Sequence, residues 1–113
     1  MTAARDTAGP VFAALADPTR RHLVRQLAET GEATATELSA ELPMTRQAVS
    51  KHLAQLEDAG LVAATRAGRE VRYRLSTPPL DDAMAWMAAV GARWDERLAA
   101  LGRHVATRAK RTR

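Results

Sequence analysis

Thr45-Arg-Gln-Ala-Val-Ser-Lys-His-Leu-Ala-Gln-Leu-Glu-Asp-Ala-Gly-Leu-Val62 carries two unlike faces at a single period. Val49, Leu53 and Leu56 recur at helical spacing and make one side apolar. Arg46, Gln47, Ser50 and Lys51 occupy the first two turns of the other side. Thr45 can cap the helix start, and Gly60 ends it where a left-handed residue is easiest to place. A helix that buries one side and offers long hydrogen-bonding side chains near its start suits the major groove of duplex DNA. The competing reading is a solvated helix face, the commonest fate of such residues.

What precedes this helix favours the groove. Thr34-Ala-Thr-Glu37 reads as a capping box that opens a short helix with Leu38 inward. Leu42-Pro-Met44 is the turn, so two short helices are joined by a few residues, the pattern of a helix-turn-helix. Further upstream, Asp17-Pro18 supplies an N-cap and a first helical position. It starts a helix from Pro18 to about Glu29, with Leu23, Val24 and Leu27 inward and Gly31 closing it. Pro10 suits the first turn of another short helix, whose Val11, Phe12 and Leu15 form an apolar face. Residues 1–9 are expected to be disordered.

Downstream of Gly60 the period changes. Leu61 to Arg66 reads as a strand, and Glu70-Val-Arg-Tyr-Arg-Leu75 alternates so that Val71, Tyr73 and Leu75 share a face. Ala67-Gly-Arg69 bends between them, and a hairpin in this place is a wing. Thr77-Pro-Pro79 then opens a long helix from about Leu80 to His104. On it Leu80, Met84, Met87, Gly91, Trp94, Leu98, Leu101 and Val105 alternate spacings of four and three, a heptad-type seam. Gly91 sits mid-seam, where a missing side chain permits close approach. The expected architecture is mainly α with a small β-hairpin, a winged helix-turn-helix with long terminal helices for dimerisation. Residues 10–102 form the domain and 103–113 a basic tail. A dimer interface is expected from Val11, Phe12 and Leu15 with Met84, Met87, Gly91, Trp94, Leu98 and Leu101. Trp86 and Val90 form a second stripe on an adjoining face, expected against the body of the domain, and the alternative to a dimer is that both apolar stripes pack within one chain.

Composition narrows the class. At 113 residues the chain is one domain, helped by a partner. It has no cysteine, so neither disulfides nor thiolate metal sites arise. No apolar run approaches the roughly 20 residues of a membrane helix, and the first residues lack the hydrophobic centre of a secretion signal. A cytoplasmic protein without membrane contact is the expectation. The net charge of +4 is uneven: Arg103, Arg108, Lys110, Arg111 and Arg113 stand in a tail without acids, and the rest of the chain is close to neutral. Between Arg46 and Arg74 six basic residues face three acidic ones. That local excess is what phosphate binding uses.

The strings Ala14-Leu-Ala-Asp-Pro-Thr-Arg-Arg21 and Ala48-Val-Ser-Lys-His-Leu-Ala-Gln-Leu-Glu-Asp-Ala-Gly-Leu-Val62, with this order of helices and a wing, resemble the ArsR family of bacterial winged-helix repressors over roughly residues 10–101. The resemblance implies a homodimer joined through the first and last helices. It also implies that helix 46–59 reads an inverted-repeat operator in double-stranded DNA while the hairpin tip touches the minor groove or backbone. Many members sense metals through cysteines in the helix before the recognition helix, but Glu37-Leu-Ser-Ala-Glu41 has none. Others use last-helix ligands. Here Asp81, Asp82 and His104 are scattered, and acids at a helix start are explained by the helix dipole. No metal site and no cofactor are expected. A metal-responsive repressor using last-helix ligands stays as an alternative, and a small-molecule effector is open.

Residue by residue, Arg46 can grip guanine O6 and N7 or hold a phosphate, Gln47 can read adenine, and Lys51 can meet either base or phosphate. Ser50 fits where the helix lies closest to the groove. Thr45 can cap and also donate to phosphate. Arg66 and Arg69 flank the wing bend and can enter a minor groove. Arg72 and Arg74 can reach phosphate or merely keep an edge strand soluble. Arg20 and Arg21 are expected in local ion pairs, and His22 and His52 in structural roles with local hydrogen bonds. Enzymatic readings fail: Ser50 and His52 are two apart on a helix and diverge, and no glycine-rich phosphate loop follows a strand. The rival of another kind is a winged helix used for protein contacts. It predicts an acidic or apolar recognition face, which Arg46, Gln47, Ser50 and Lys51 are not.

Overall fold

Asp17 sets the first corner of the chain. In a computed structural model, which describes residues 6–111, its carboxylate accepts the amides of Thr19 at 2.7 Å and Arg20 at 3.1 Å. Pro18 stands at the first helical position, where its missing N–H costs nothing. These residues start α2 (Pro18–Thr30), which follows α1 (Ala8–Leu15). Then come β1 (Glu32–Thr34), α3 (Ala35–Ser39), α4 (Arg46–Asp58), β2 (Val62–Ala67), β3 (Glu70–Leu75) and α5 (Pro78–Arg111). The chain divides into two units, one ending at Ala83 and one starting at Met84.

In the first unit, the helices close over an apolar centre. Leu23 and Leu27 of α2, Leu38 of α3, Val49, Leu53 and Leu56 of α4, and Leu61 and Val62 at the start of the wing are all buried. The arginines after Asp17 bind α1 to this body. Arg20 donates to the carbonyls of Ala14 (2.7 Å) and Ala13 (3.3 Å) and to Gln55 Oε1 (2.7 Å), while Arg21 donates to the Leu15 carbonyl at 2.7 Å. Two guanidinium groups thus satisfy carbonyls at the C-terminal end of α1, where a helix leaves acceptors open and favours positive charge. One of them also reaches across to α4. Both residues work locally, as expected, although mostly through carbonyls: the Arg20–Asp17 ion pair is long, at 3.9 Å.

Several boundaries differ from expectation for identifiable reasons. α1 begins at Ala8, two residues before Pro10, because Asp6 Oδ1 accepts the amides of Ala8 (3.1 Å) and Gly9 (3.0 Å). The nine-residue disordered start therefore overlaps the first turn of α1 at residues 8 and 9; its residues 1–5 lie outside the described residues. The hairpin is one part of a three-stranded antiparallel sheet with order β1-β3-β2. β1 was missed because three residues carry no readable period; Ala33 is a strand residue only because it pairs with Tyr73. This makes β3 the central strand, so an edge-protecting role for Arg72 and Arg74 lapses. The wing register runs from Val62 opposite Leu75 to Ala67 opposite Glu70, with Gly68 at φ 62° in the bend. Gly60, at φ 80°, ends α4 as expected, and a Cβ there would lie 2.9 Å from Pro79 Cγ. α5 runs past His104 to Arg111, since the alanine-rich end contains no proline to stop it. The basic tail is thus helical up to residue 111; residues 112 and 113 lie outside the described residues.

Asp17 also makes the fold pH-sensitive. The amide of Arg20 most of all, then that of Thr19 and the charges of Arg20 and His52, hold its carboxyl below the ordinary 3.8. A carboxyl whose pKa is depressed on folding adds stability above its unfolded pKa and loses it as pH falls through the folded value. Asp17→Asn keeps the capping geometry but removes the titration. Urea denaturation should show the parent more stable than this variant at neutral pH, with the gap closing as pH falls below about 3.8. A gap that stays constant down to the lowest pH would show that the charge contributes nothing.

Candidate nucleic-acid interface

The two halves of the helix-turn-helix are fixed by their caps. At α3, Thr34 Oγ1 accepts the Glu37 amide at 3.1 Å and Glu37 Oε1 accepts the Thr34 amide at 3.0 Å, so both bonds of the capping box form. The same amide and hydroxyl of Thr34, followed by the charge of Arg72, hold the Glu37 carboxyl below its ordinary range. At α4, Thr45 Oγ1 accepts the Ala48 amide at 3.1 Å. With that start set, the burial of Val49, Leu53 and Leu56 fixes the rotation of α4 about its axis. Arg46, Gln47 and Lys51 are then exposed and Ser50 half-buried, all on the side away from the core.

Between Arg46 and Arg74 the cations sort into two groups by what holds them. Arg72 is held by Glu70 at 3.2 Å and, more loosely, by Glu32 at 3.9 Å, and Arg74 donates to Thr65 Oγ1 at 3.3 Å. By contrast, Arg46, Lys51, Arg66 and Arg69 make no side-chain hydrogen bond or ion pair among the described residues. The second group coincides with the basic residues assigned to DNA contact from sequence. Spacing alone could not separate Arg74 from it, because its partner Thr65 lies on another strand; Arg72 is held mainly by Glu70 on its own strand, and only its looser partner Glu32 is on another.

A cleft of about 630 Å³ joins recognition helix and wing. Arg46 and Ser50 line it from α4, Arg69 and Arg72 from the wing, and Thr36 and Glu37 from α3. Three of the sequence-derived residues, Arg46, Ser50 and Arg69, thus share one concave surface, while Thr45, Gln47, Lys51 and Arg66 lie outside its lining. Thr36 and Glu37 were read only as cap residues; nothing in a capping box signals that a wing folds opposite it.

The residues assigned to dimer contact separate as well. Val11 is fully buried in the first unit and offers no surface to a partner, which corrects its place in the interface set; Leu15 is partly buried against the same core, and Phe12 is 37% exposed. In the second unit Met84, Met87, Trp94, Leu98 and Leu101 are all exposed, Trp94 at 60%. A Cβ on Gly91 would meet nothing within 4 Å. The local hydrogen bond expected of His52 is not made at Nδ1, which is buried without a partner. Asp82, one of the scattered last-helix acids, accepts a hydrogen bond from the Thr7 hydroxyl at 3.0 Å. Among the described residues no group of three or more His, Cys, Asp and Glu side chains could hold a metal ion, and no helix is long and apolar enough to cross a membrane.

Known proteins share this arrangement. A family model described as a helix-turn-helix domain matches residues 15–64. The transcriptional repressor SdpR of Bacillus subtilis is 34% identical over 77 residues, covering 68% of this chain and 84% of its own. The solved structure of an ArsR-like transcriptional regulator from Rhodococcus sp. RHA1 superposes with a TM-score of 0.72 at 40% identity, covering 84% of this chain and 89% of that one. The homodimeric winged helix-turn-helix domain of a possible ArsR-family regulator from Mycobacterium bovis gives a TM-score of 0.60 at 30% identity, with 82% of each chain covered. All three are described as transcriptional regulators or repressors, the last as a possible one. Across the curated relatives compared, the chain spans from 56% to 84% of their length. Together with a capped recognition helix, a wing and a long last helix in one order, they show that the chain belongs to the ArsR family of winged helix-turn-helix transcriptional regulators.

Proposed function

We propose that the chain is a dimeric, sequence-specific DNA-binding repressor that occupies an inverted-repeat operator in the cytoplasm. The observation that carries this reading is the unpaired cationic face of α4 and the wing. Arg46 and Lys51 stand in the first two turns of a rigidly capped helix, Arg66 and Arg69 flank the wing bend, and none is neutralised by a neighbour. Desolvating a paired cation against phosphate would first break its existing pair; these four carry no such cost. Gln47 and Ser50 add neutral groups able to read base edges. The homodimer of the M. bovis relative and the repressor activity named for SdpR support the corresponding traits here.

In this mechanism α5 pairs two copies and so spaces two recognition helices about one duplex turn apart. Occupancy near a promoter blocks polymerase. A signal that tilts the pairing would misalign one helix and weaken binding of both half-sites; any small-molecule effector would act there. Footprinting the purified full chain on DNA upstream of its own reading frame, at several salt concentrations, tests the reading. A protected inverted repeat supports it, and uniform coverage without a boundary overturns it.

Arg46→Ala separates base reading from phosphate holding. If Arg46 grips a guanine, the variant loses about 1–3 kcal/mol on the operator and tolerates any base at one position. Competition binding against operator variants reads this out. An equal loss on every sequence would show that Arg46 only holds phosphate.

A further inference from the structure

The distal half of α5 carries a charge pattern that the winged helix does not use. At about 100° per residue, Arg93, Arg97, His104 and Arg108 fall within an arc of about 60° and extend over ~22 Å of helix. All four are exposed. The apolar seam through Trp94, Leu98, Leu101 and Val105 occupies the adjoining arc, so pairing through the seam leaves the stripe beside it. The acids of this stretch, Asp95 and Glu96, lie off the stripe, and neither makes an ion pair with Arg93 or Arg97 within 4.0 Å.

Two features argue that the stripe is more than a solvated helix face. Arg93 and Arg97 are a basic pair four residues apart, a spacing at which like charges oppose helix formation. Solubility alone is served better by mixed signs. No other residue of this stretch falls within the arc, and the residues on its edge away from the seam, Ala100 and Thr107, include no Asn or Gln able to read a base edge. Fixed positive charge without reading groups is the composition of a phosphate contact, which positions a protein without specifying sequence. Lys110, Arg111 and Arg113 continue the positive charge in the sequence.

We propose that this stripe is a second DNA-binding element, a track for the phosphate backbone of duplex DNA that adds sequence-independent affinity to the contacts of α4 and the wing. It rests on the reading of the chain as a DNA-binding protein, and the test keeps the two apart. Each phosphate contact contributes about 0.9 to the slope of log binding constant against log salt. Full-length parent, Arg46→Ala and the triple variant Arg93→Gln/Arg97→Gln/Arg108→Gln are titrated with a random-sequence duplex over a series of potassium chloride concentrations. The triple variant should lower the slope by about 2–3 for each stripe of the dimer that lies on the duplex, and the Arg→Lys triple variant should restore it, because a phosphate needs only charge. Unchanged sedimentation of both variants shows that pairing is intact. If the parent binds duplex and Arg46→Ala weakens it while the triple variant keeps the parental slope, the stripe is no DNA track and the winged-helix reading stands. If the parent binds no duplex, both fall. Vesicles of phosphatidylserine in phosphatidylcholine form the last arm: loss of vesicle binding in the triple variant, with an unchanged duplex slope, overturns the proposal in favour of an anionic membrane surface.

Discussion

Trp94→Glu should convert the protein from a dimer to a monomer. α5 presents Met84, Met87, Gly91, Trp94, Leu98, Leu101 and Val105 at alternating spacings of three and four, and each of the six large side chains is about half exposed or more. Contiguous apolar side chains of this size mark an interaction surface. Trp94 sits in the middle of the seam, one turn from Gly91, where no atom would meet an added Cβ. An indole there gains both area and an open position opposite a partner helix. A carboxylate in its place must be desolvated without a counter-ion, which costs several kcal/mol. Sedimentation equilibrium should show the dimer dissociation constant raised by about 100-fold or more. Operator affinity should fall by a similar factor, because the second half-site is then no longer bound at the high effective concentration that linkage provides. A parental sedimentation profile would show that the seam is not the pairing surface.

Leu53→Ala should instead cost the fold. Leu53 is fully buried in α4, in one cluster with Leu23, Leu27, Val49 and Leu56. Removing a buried leucine side chain loses its transfer free energy and leaves a cavity, for about 2–5 kcal/mol. In a unit of this size each kcal/mol lowers Tm by roughly 4–8 °C, so a drop on the order of 15 °C is expected by differential scanning calorimetry. Arg46→Ala, on the exposed side of the same helix, should leave Tm within about 2 °C of the parent. The two substitutions stand on one helix and divide its faces into one that folds and one that binds. If Leu53→Ala melts like the parent, that division is wrong.

What the sequence made legible follows from the reach of each signal. α4 was readable in full because every cue is local: Thr45 and Gly60 mark its ends, and the period of Val49, Leu53 and Leu56 sets its rotation. The capping box at Thr34 and the Asp17-Pro18 start were equally local, and both formed. The wing was readable as a hairpin because Glu70 to Leu75 alternates. β1 was not, since Ala33 becomes a strand residue only through Tyr73, forty residues on. The same limit hid the pairing of Arg72 with Glu32 and of Arg74 with Thr65, and with it the distinction between held and unheld arginines. Val11 was misplaced for a different reason. A helix of eight residues with Val11, Phe12 and Leu15 has apolar side chains on most of its circumference, and which of them turns inward is settled by contacts such as those of Arg20 and Arg21 with its last carbonyls. In the second unit the seam itself was legible as a period, but a period does not name its partner.

In the proposed mode of binding, two copies of α4, held at a fixed separation, read one duplex together. Repeated selection of the full-length protein against a pool of random duplexes tests it most directly. Enrichment of an inverted repeat whose half-sites lie about 10–11 base pairs apart, centre to centre, is expected. A folded, dimeric protein that enriches no sequence over the starting pool would contradict it.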